Sequence, residues 1–258
     1  MSDSGVWYPD KEKRMGVEHV CWCGGNLTVS VHPAYGRCVV CGTLATWNIP
    51  TDKELRERYS FDGYWHECMK APGQIPIEER VENDLRDRIP QWWEILHRHV
   101  PNCQSLLEIG CAHGMFLRYA KERGVEDVCG VEPDERTCVF ARQISGANIA
   151  SGLFPSDCCL RRRAWTPFDA IVMFDVLEHI SHPAECAFDL SRSGALIIQT
   201  PEYNGQGADW PQFKPAEHLW LFTRESMRKL LERWGLSVVT WECPVFGYDQ
   251  IVVGRRAR

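Results

Sequence analysis

Between Cys103 and Val253 short apolar runs alternate with amphipathic segments of helical period, and that alternation admits few folds. Ser105 to Gly110, Asp127 to Glu132, Phe168 to Phe174, Ala195 to Thr200, Leu236 to Glu242 and Tyr248 to Val253 read as strands. Met115 to Arg123, Glu135 to about Ile144, Ala184 to Ser191 and Phe222 to Trp234 read as helices, the last opened by Thr223 and stopped by Gly235. Strands separated by helices pair in parallel, and such a sheet must be covered on both faces.

The first hundred residues are of another kind. Cys21-Trp22-Cys23-Gly24-Gly25 and Cys38-Val39-Val40-Cys41-Gly42 form two close cysteine pairs, each trailed by glycine. A tetrahedral zinc ion needs four thiolates converging on one point, and two tight turns on a short hairpin bring Cys21, Cys23, Cys38 and Cys41 together in that way. A set of incidental buried thiols, or His32 in place of one cysteine, are the competing readings. Four cysteines leave no open position, so the zinc is expected to be structural. Residues 1–50 therefore read as a small zinc-ribbon-like module. Residues 51–100 read as a helical linker or lid, with a capping box at Thr51 to Glu54. Within it Ile77, Val81, Leu85, Ile89, Trp92 or Trp93 and Leu96 recur as one buried helical face, Pro90 is the expected break, and the segment Ala71 to Pro76 separates this helix from the one before. Tyr59, Phe61, Tyr64 and Trp65 belong either to ordinary packing or to a lid over a ligand.

The chain carries 29 basic against 35 acidic side chains, and its zinc-ribbon-like segment holds equal numbers of each, so nucleic acid is not the expected partner. No apolar run approaches a membrane span, and the charged start has no apolar signal core. With 13 cysteines, an odd number, the thiols read as reduced and the protein as cytoplasmic. The runs Arg161-Arg162-Arg163 and Arg255-Arg256 read as solvated loop and tail.

Chemistry is expected at the turn Glu108-Ile109-Gly110-Cys111-Ala112-His113-Gly114, which joins the first strand of the α/β unit to its helix. A turn so poor in side chains admits a ligand close to the backbone, and Glu132, at the end of the next strand, is placed to accept from both hydroxyls of a ribose. Glu108 in front of the turn would repel a pyrophosphate and attract a cationic amino group or sulfonium, which argues against a dinucleotide.

These segments, LLEIGCAHGMFL, GVEPD, FDAIVMFDVLEHISHP and EHLWLFTRESMRKLLERWGL, resemble in order the motifs of class I S-adenosylmethionine-dependent methyltransferases of the small-molecule type, similar to the ubiquinone and sugar enzymes. The resemblance covers Leu106 to about Val253, and Ala112 departs from it where a second glycine is common. It implies a Rossmann-like α/β fold for residues 101–258: a seven-stranded sheet with its last strand antiparallel and helices on both faces. It also implies S-adenosylmethionine as cofactor. Glu108, Gly110, Cys111, Ala112, Gly114 and Phe116 would face the methionine moiety, Glu132 and Pro133 the ribose, and Leu153 and Phe154 the adenine, with Phe174 and Asp175 closing the site.

Methyl transfer to a hydroxyl requires loss of its proton, for which an imidazole is well matched. His218, in Pro215-Ala216-Glu217-His218-Leu219, is the preferred base and His179, in Asp175-Val176-Leu177-Glu178-His179, the second, with His113 less favoured. Asp175, Glu178 and His179 would together suit Mg²⁺. The expected function is O- or C-methylation of a small molecule such as a sugar, a sugar nucleotide or another secondary metabolite. The alternatives are a protein or RNA methyltransferase docking through the zinc module, disfavoured by Asp175-Val176-Leu177 where an Asn/Asp-Pro-Pro-Tyr motif would stand, and a non-catalytic S-adenosylmethionine-binding protein. The oligomeric state is not legible.

Overall fold

The computed structural model describes residues 20–67, 75–157, 167–188 and 190–256. Three short strands, β1 (Leu27–Val29), β2 (Tyr35–Cys38) and β3 (Leu44–Thr46), lead into helix α1 (Asp52–Arg58) and a turn of π-helix at Phe61–Glu67. Helices α2 (Ile77–Arg86) and α3 (Arg88–His99) follow. The α/β unit then runs β4 (Ser105–Ile109), α4 (Met115–Lys121), β5 (Asp127–Glu132), α5 (Glu135–Ser145), β6 (Asn148–Ser151), β7 (Phe168–Phe174), β8 (Leu190–Pro201), β9 (Trp220–Leu221), α6 (Arg224–Arg233), β10 (Leu236–Glu242) and β11 (Asp249–Arg256).

Seven strands form one sheet in the order β10-β11-β8-β7-β4-β5-β6, and all are parallel except β11, which runs antiparallel to both neighbours. Strand side chains alternate faces, and the two faces are buried by different partners. Leu106, Val172, Ile197 and Val253 pack with Ile89, Trp92 and Leu96 of α3, with α4 and with α5. Leu107, Met173, Ile198 and Val252 pack with Met227, Leu230 and Leu231 of α6, with Leu55 of α1 and with Cys21, Cys38 and Cys41. Chain order reverses between β4 and β7, so the loops after these strands part and leave a crevice at their carboxyl ends.

The N-terminal strands do not stand apart. β9 pairs with β3 through Leu44 with Leu221 and Ala45 with Trp220, giving a four-stranded antiparallel sheet β1-β2-β3-β9. The buried Tyr35 hydroxyl donates to the carbonyl of His218 at 2.7 Å, and Trp220 Nε1 donates to the carbonyl of Ile180 at 2.8 Å.

Some expectations are corrected. No helix spans Ala184 to Ser191. A single 3-10 turn at Pro183–Glu185 precedes β8, because Cys186 is drawn into the core and Phe188 packs on Trp234 at a centroid distance of 4.9 Å. The helix break falls at Asp87, ahead of Pro90, which thereby occupies the first turn of α3, where a missing N–H costs nothing. That break leaves Leu85 exposed and buries Asp84 in its place. Arg255 and Arg256 end β11 instead of forming a free tail, and donate to the carbonyls of His99 and Leu190. Arg161 to Arg163 and the Ala71 to Gln74 stretch lie outside the described residues. Among the described residues no helix is long and apolar enough to cross a membrane.

Candidate active site

The cleft at the switch point is shaped first by backbone. Gly110 has φ +73°, and a Cβ there would stand 2.4 Å from Val176 Cγ2, so the loops after β4 and β7 touch only because residue 110 lacks a side chain. Gly114, at φ +74°, caps α4 where a Cβ would press on the Ala141 carbonyl at 2.9 Å; it supports the turn without lining the cleft. Ala112 holds φ 42°, keeping the left-handed backbone that a glycine would take without strain. Its N–H donates to the Glu132 carboxylate at 3.0 Å.

Two carboxyls face this turn. Glu132 is 9% exposed, and burial pushes its carboxyl up to about 8. Glu108 is 5% exposed and its Oε2 has no hydrogen-bond partner; burial, and next the neighbouring Glu132, raise it well above the usual carboxylate range. A buried oxygen left unpaired beside a cavity costs free energy that a donor on a ligand would recover. Cys111, Phe116, Pro133, Leu153, Phe154, Phe174 and Asp175 also line the cleft.

The far wall comes from the segment before the α/β unit. Tyr59, Tyr64 and Trp65 line it from α1 and the π-helical turn, which supports the lid reading over plain packing. Arg56 pairs with Asp157, whose carboxylate also accepts from the Leu153 N–H at 2.6 Å, so α1 is fastened to the loop after β6.

α2 and α3 add a polar chain that sequence reasoning missed. Asp84 takes Arg80 at 2.9 Å, Arg88 at 3.0 Å and His113 Nε2 at 3.1 Å. Arg88 continues to Asp175 at 3.3 Å, and Gln199 joins Asp175 at 2.9 Å to Trp92 Nε1 at 2.8 Å. Trp92 lies flat on Phe174, 4.3 Å away with 4° between the rings. Burial raises Asp175, which Arg88 partly offsets. His113, bonded at both nitrogens because Nδ1 accepts from the Met115 N–H, has no free lone pair for a base. The signal for this chain was the charged stripe Arg80, Asp84, Arg88 at steps of four residues beside the apolar face.

The two favoured histidines are placed unequally. His179 lines the cleft, with Nδ1 against the Glu217 carbonyl at 2.8 Å and the Tyr59 hydroxyl at 3.0 Å. His218 does not line it: it is 5% exposed, stands behind His179 with ring centroids 5.2 Å apart, and gives Nδ1–H to the Gln212 carbonyl at 2.8 Å. Of the two, His179 reaches the cleft, while the Gln212 carbonyl holds the His218 ring inward. Burial lowers both imidazoles, His218 the further, so both are neutral at neutral pH.

The four cysteines converge. Cys21 Sγ and Cys41 Sγ are 3.6 Å apart, Cys23 Sγ and Cys38 Sγ 3.5 Å, and all four sulfurs lie within 4.8 Å of one another. A tetrahedron with zinc–sulfur bonds of about 2.3 Å needs sulfur separations of about 3.8 Å, so the donor set fits. Hydrogen bonding from Cys21 and, among smaller contributions, from the Thr43 hydroxyl holds Cys41 down at about 5, while burial raises Cys23 to about 11. Gly24 and Gly42 take φ +86° and +80° at the two turns.

Residues 77–240 match the model of a family described as a methyltransferase domain. No curated protein matches the chain. Among solved structures, magnesium protoporphyrin IX methyltransferase from Synechocystis PCC 6803 with bound SAH is 15% identical, covering 80% of this chain and 100% of its own at a TM-score of 0.56. DesVI of Streptomyces venezuelae is 17% identical, with 70% and 97% covered at 0.54. Geranyl diphosphate C-methyltransferase from Streptomyces coelicolor A3(2) is 15% identical, with 74% and 89% covered at 0.53.

Proposed function

We infer the function from the family to which the chain belongs, that of the methyltransferase domain: it transfers a methyl group from S-adenosylmethionine to a small-molecule acceptor. The observation that carries this reading is the pair Glu108 and Glu132, two buried carboxyls beside one cleft, one of them with an unpaired oxygen. Such a pair suits a ligand that is cationic at one end and carries a diol at the other. The bound cofactor would supply an electrophilic methyl group on a sulfonium.

The chain's own residues do the rest. The turn from Gly110 to Ala112 admits the ligand to the backbone, Glu108 answers its positive charge and Glu132 its ribose. Pro133, Leu153 and Phe154 border the adenine side. Tyr59, Tyr64 and Trp65 cover the acceptor and exclude water, which strengthens every charge interaction beneath them. The proton of a hydroxyl acceptor leaves at the His179 side, since His179 reaches the cleft and His218 supports it from behind. The acceptor is a small molecule, methylated on oxygen or carbon against the aromatic wall of Tyr59, Tyr64 and Trp65, and sugars and sugar nucleotides remain within that class. The four thiolates hold a structural zinc ion that fixes β1 to β3 against β9.

Calorimetric titration with S-adenosylhomocysteine tests the reading. Saturable one-to-one binding, weakened at least tenfold by Glu132→Ala, is expected. Absence of binding by the folded, metal-replete protein would remove the reading. A labelled-methyl screen over hydroxylated small molecules then identifies the acceptor.

A further inference from the structure

Among the described residues, the cleft is lined by two permanent cations, Arg80 of α2 and Arg88 at the start of α3, and they are used unequally. Arg88 is fully engaged within the protein. Its Nε meets Asp84 at 3.0 Å and Nη1 meets Asp175 at 3.3 Å, while its guanidinium lies 4.4 Å from the Phe246 ring centroid and 5.5 Å from that of Trp92. Asp175, which the sequence grouped with Glu178 and His179, has φ 56° and meets Arg88 and Gln199 instead. Arg80 donates through Nε to Asp84 at 2.9 Å, and neither of its terminal nitrogens has a hydrogen-bonded acceptor among the described residues. The two-pronged edge of the guanidinium is therefore free for something in the cleft.

That edge is held in place. Asp84, which orients Arg80, is buried and also takes Arg88 and His113 Nε2, so it is fixed both from α3 and from the turn after β4. The Arg80 side chain is 33% exposed, and Tyr64 and Trp65 line the same cleft. A fixed, partly desolvated guanidinium with a free edge is complementary to a carboxylate or a phosphate, which accepts through two oxygens at once. Two molecules can present such a group: the methyl acceptor, and the cofactor through its own carboxylate. The surroundings of Arg80 favour the acceptor. Glu108, set to answer the cofactor's amino group, is raised by burial and then by Glu132 and Asp84. The cofactor's carboxylate shares a carbon with that amino group, so it belongs beside Glu108. Arg80, burial aside, is influenced by Asp84 and then by Tyr64 and Asp175. Burial and Asp175 raise Tyr248, at the start of β11, and Arg88 and Arg80 offset part of that rise. The lid and the ends of β7 and β11 thus surround Arg80, whereas Glu132 and Leu153 follow β5 and β6, on the other side of β4.

We propose that Arg80 receives a carboxylate or phosphate group carried by the methyl acceptor, so that the substrates of this cleft are anionic small molecules. This rests on the methyltransferase reading and narrows it. The group that Arg80 binds takes no part in the reaction; it anchors the acceptor between Tyr64, Trp65 and the start of β11 and so fixes where the methylated atom stands. Arg88 and His113 act on the acceptor only through Asp84, as positioning residues. The class takes in acidic sugars, sugar phosphates, sugar nucleotides and hydroxylated acids, and it leaves out neutral sugars and neutral phenols.

The test is calorimetric titration of the full-length protein, saturated with S-adenosylhomocysteine, with three pairs of probes: protocatechuate against protocatechuyl alcohol, glucuronate against glucose, and phenyl phosphate against phenol. At least one anion is expected to bind more tightly than its neutral partner by roughly tenfold or more, the scale of one charge-assisted hydrogen bond. Arg80→Gln should remove that preference while affinity for S-adenosylhomocysteine stays within about threefold, which also reports that the variant is folded. Arg80→Lys, which keeps the charge without the fork, should retain a reduced preference, and it reads the site even if Arg80→Gln does not fold. Equal binding within every pair by the wild type would overturn the proposal, as would a preference that survives in Arg80→Gln. A tenfold loss of S-adenosylhomocysteine in Arg80→Gln would assign the guanidinium to the cofactor's own carboxylate and overturn it too. Failure of the wild type to bind S-adenosylhomocysteine would instead remove the cofactor reading, and the same titrations on the unliganded protein would still show whether Arg80 selects anions.

Discussion

The N–H of Ala112 donates to the carboxylate of Glu132 at 3.0 Å, so the acidic end of β5 holds the left-handed turn that follows β4. The turn at the floor of the cleft is thus tied to β5 by a side chain as well as by the strand ladder, and both residues give measurable consequences.

Glu132 titrates at about 8 in the folded chain against an ordinary 4.5, because burial disfavours its charge. A raised carboxyl binds more protons folded than unfolded, so its contribution to stability is complete below about 4.5 and is lost as pH rises to about 8. The unliganded protein should therefore lose stability across that interval, with a shallower slope in Glu132→Gln, measured by urea unfolding at a series of pH values. Ribose hydroxyls donate to the charged carboxylate and pull its pKa down. Binding of S-adenosylhomocysteine at neutral pH should release protons, seen as a binding enthalpy that varies with buffer ionisation heat. Proton uptake would contradict the placement of the ribose on Glu132.

Ala112 at φ 42° bears a left-handed conformation that costs an L-residue roughly 1–2 kcal/mol and glycine little. Glycine also gains unfolded-state entropy, which offsets about 0.4–1 kcal/mol of that relief. Ala112→Gly should stabilise the protein by about 0.5 kcal/mol. A loss of 1 kcal/mol or more in chemical unfolding, on the order of the entropic term alone, would mean that the turn is not strained.

Much of the α/β unit was legible because buried strands leave continuous apolar runs. Asp127–Glu132, Phe168–Phe174 and Leu236–Glu242 stand where periodicity put them. The convergence of the four cysteines was legible too, since two close pairs on a short hairpin bring them together, and Glu108 and Glu132 reach one cleft because they stand at the ends of neighbouring parallel strands. Three things were not. β9 is two residues long, too short for any periodic signal, yet it decides how the N-terminal sheet attaches. The inward turn of His218 is set by the Gln212 carbonyl, in an irregular loop that carries no periodic signal. The segment before β8 has helical composition but yields to the pull of Phe188 on Trp234.

Asp157 joins the lid to the cleft wall through unequal bonds. Its pair with Arg56 is partly exposed, and such pairs contribute at most about 1 kcal/mol. Its bond from the Leu153 N–H is charge-assisted, worth about 1.5–3 kcal/mol. Arg56→Ala should then cost less than about 1 kcal/mol in thermal or urea unfolding, and Asp157→Ala about 2 kcal/mol. Only the second should weaken S-adenosylhomocysteine severalfold, by freeing Leu153. Equal effects of the two substitutions would place the stabilisation in the ion pair instead.

Cys38 supplies one thiol of the four-cysteine cluster, and its strand is two pairings from β9: β2 pairs with β3, and β3 with β9. Cys21, Cys38 and Cys41 share a core with Leu55, Trp220, Phe222 and Met227, and Tyr35 anchors to His218. Loss of a zinc ion held there would therefore remove support from one cooperative body, not from an appendage. Cys38→Ser should lower bound zinc by one equivalent and cost several kcal/mol, on the scale of losing a structural metal from a small site. In calorimetry the whole protein should melt in one transition at lower temperature. A new low-temperature transition with the main one unmoved would show that the cysteine segment unfolds alone and that β9 does not couple it to the sheet.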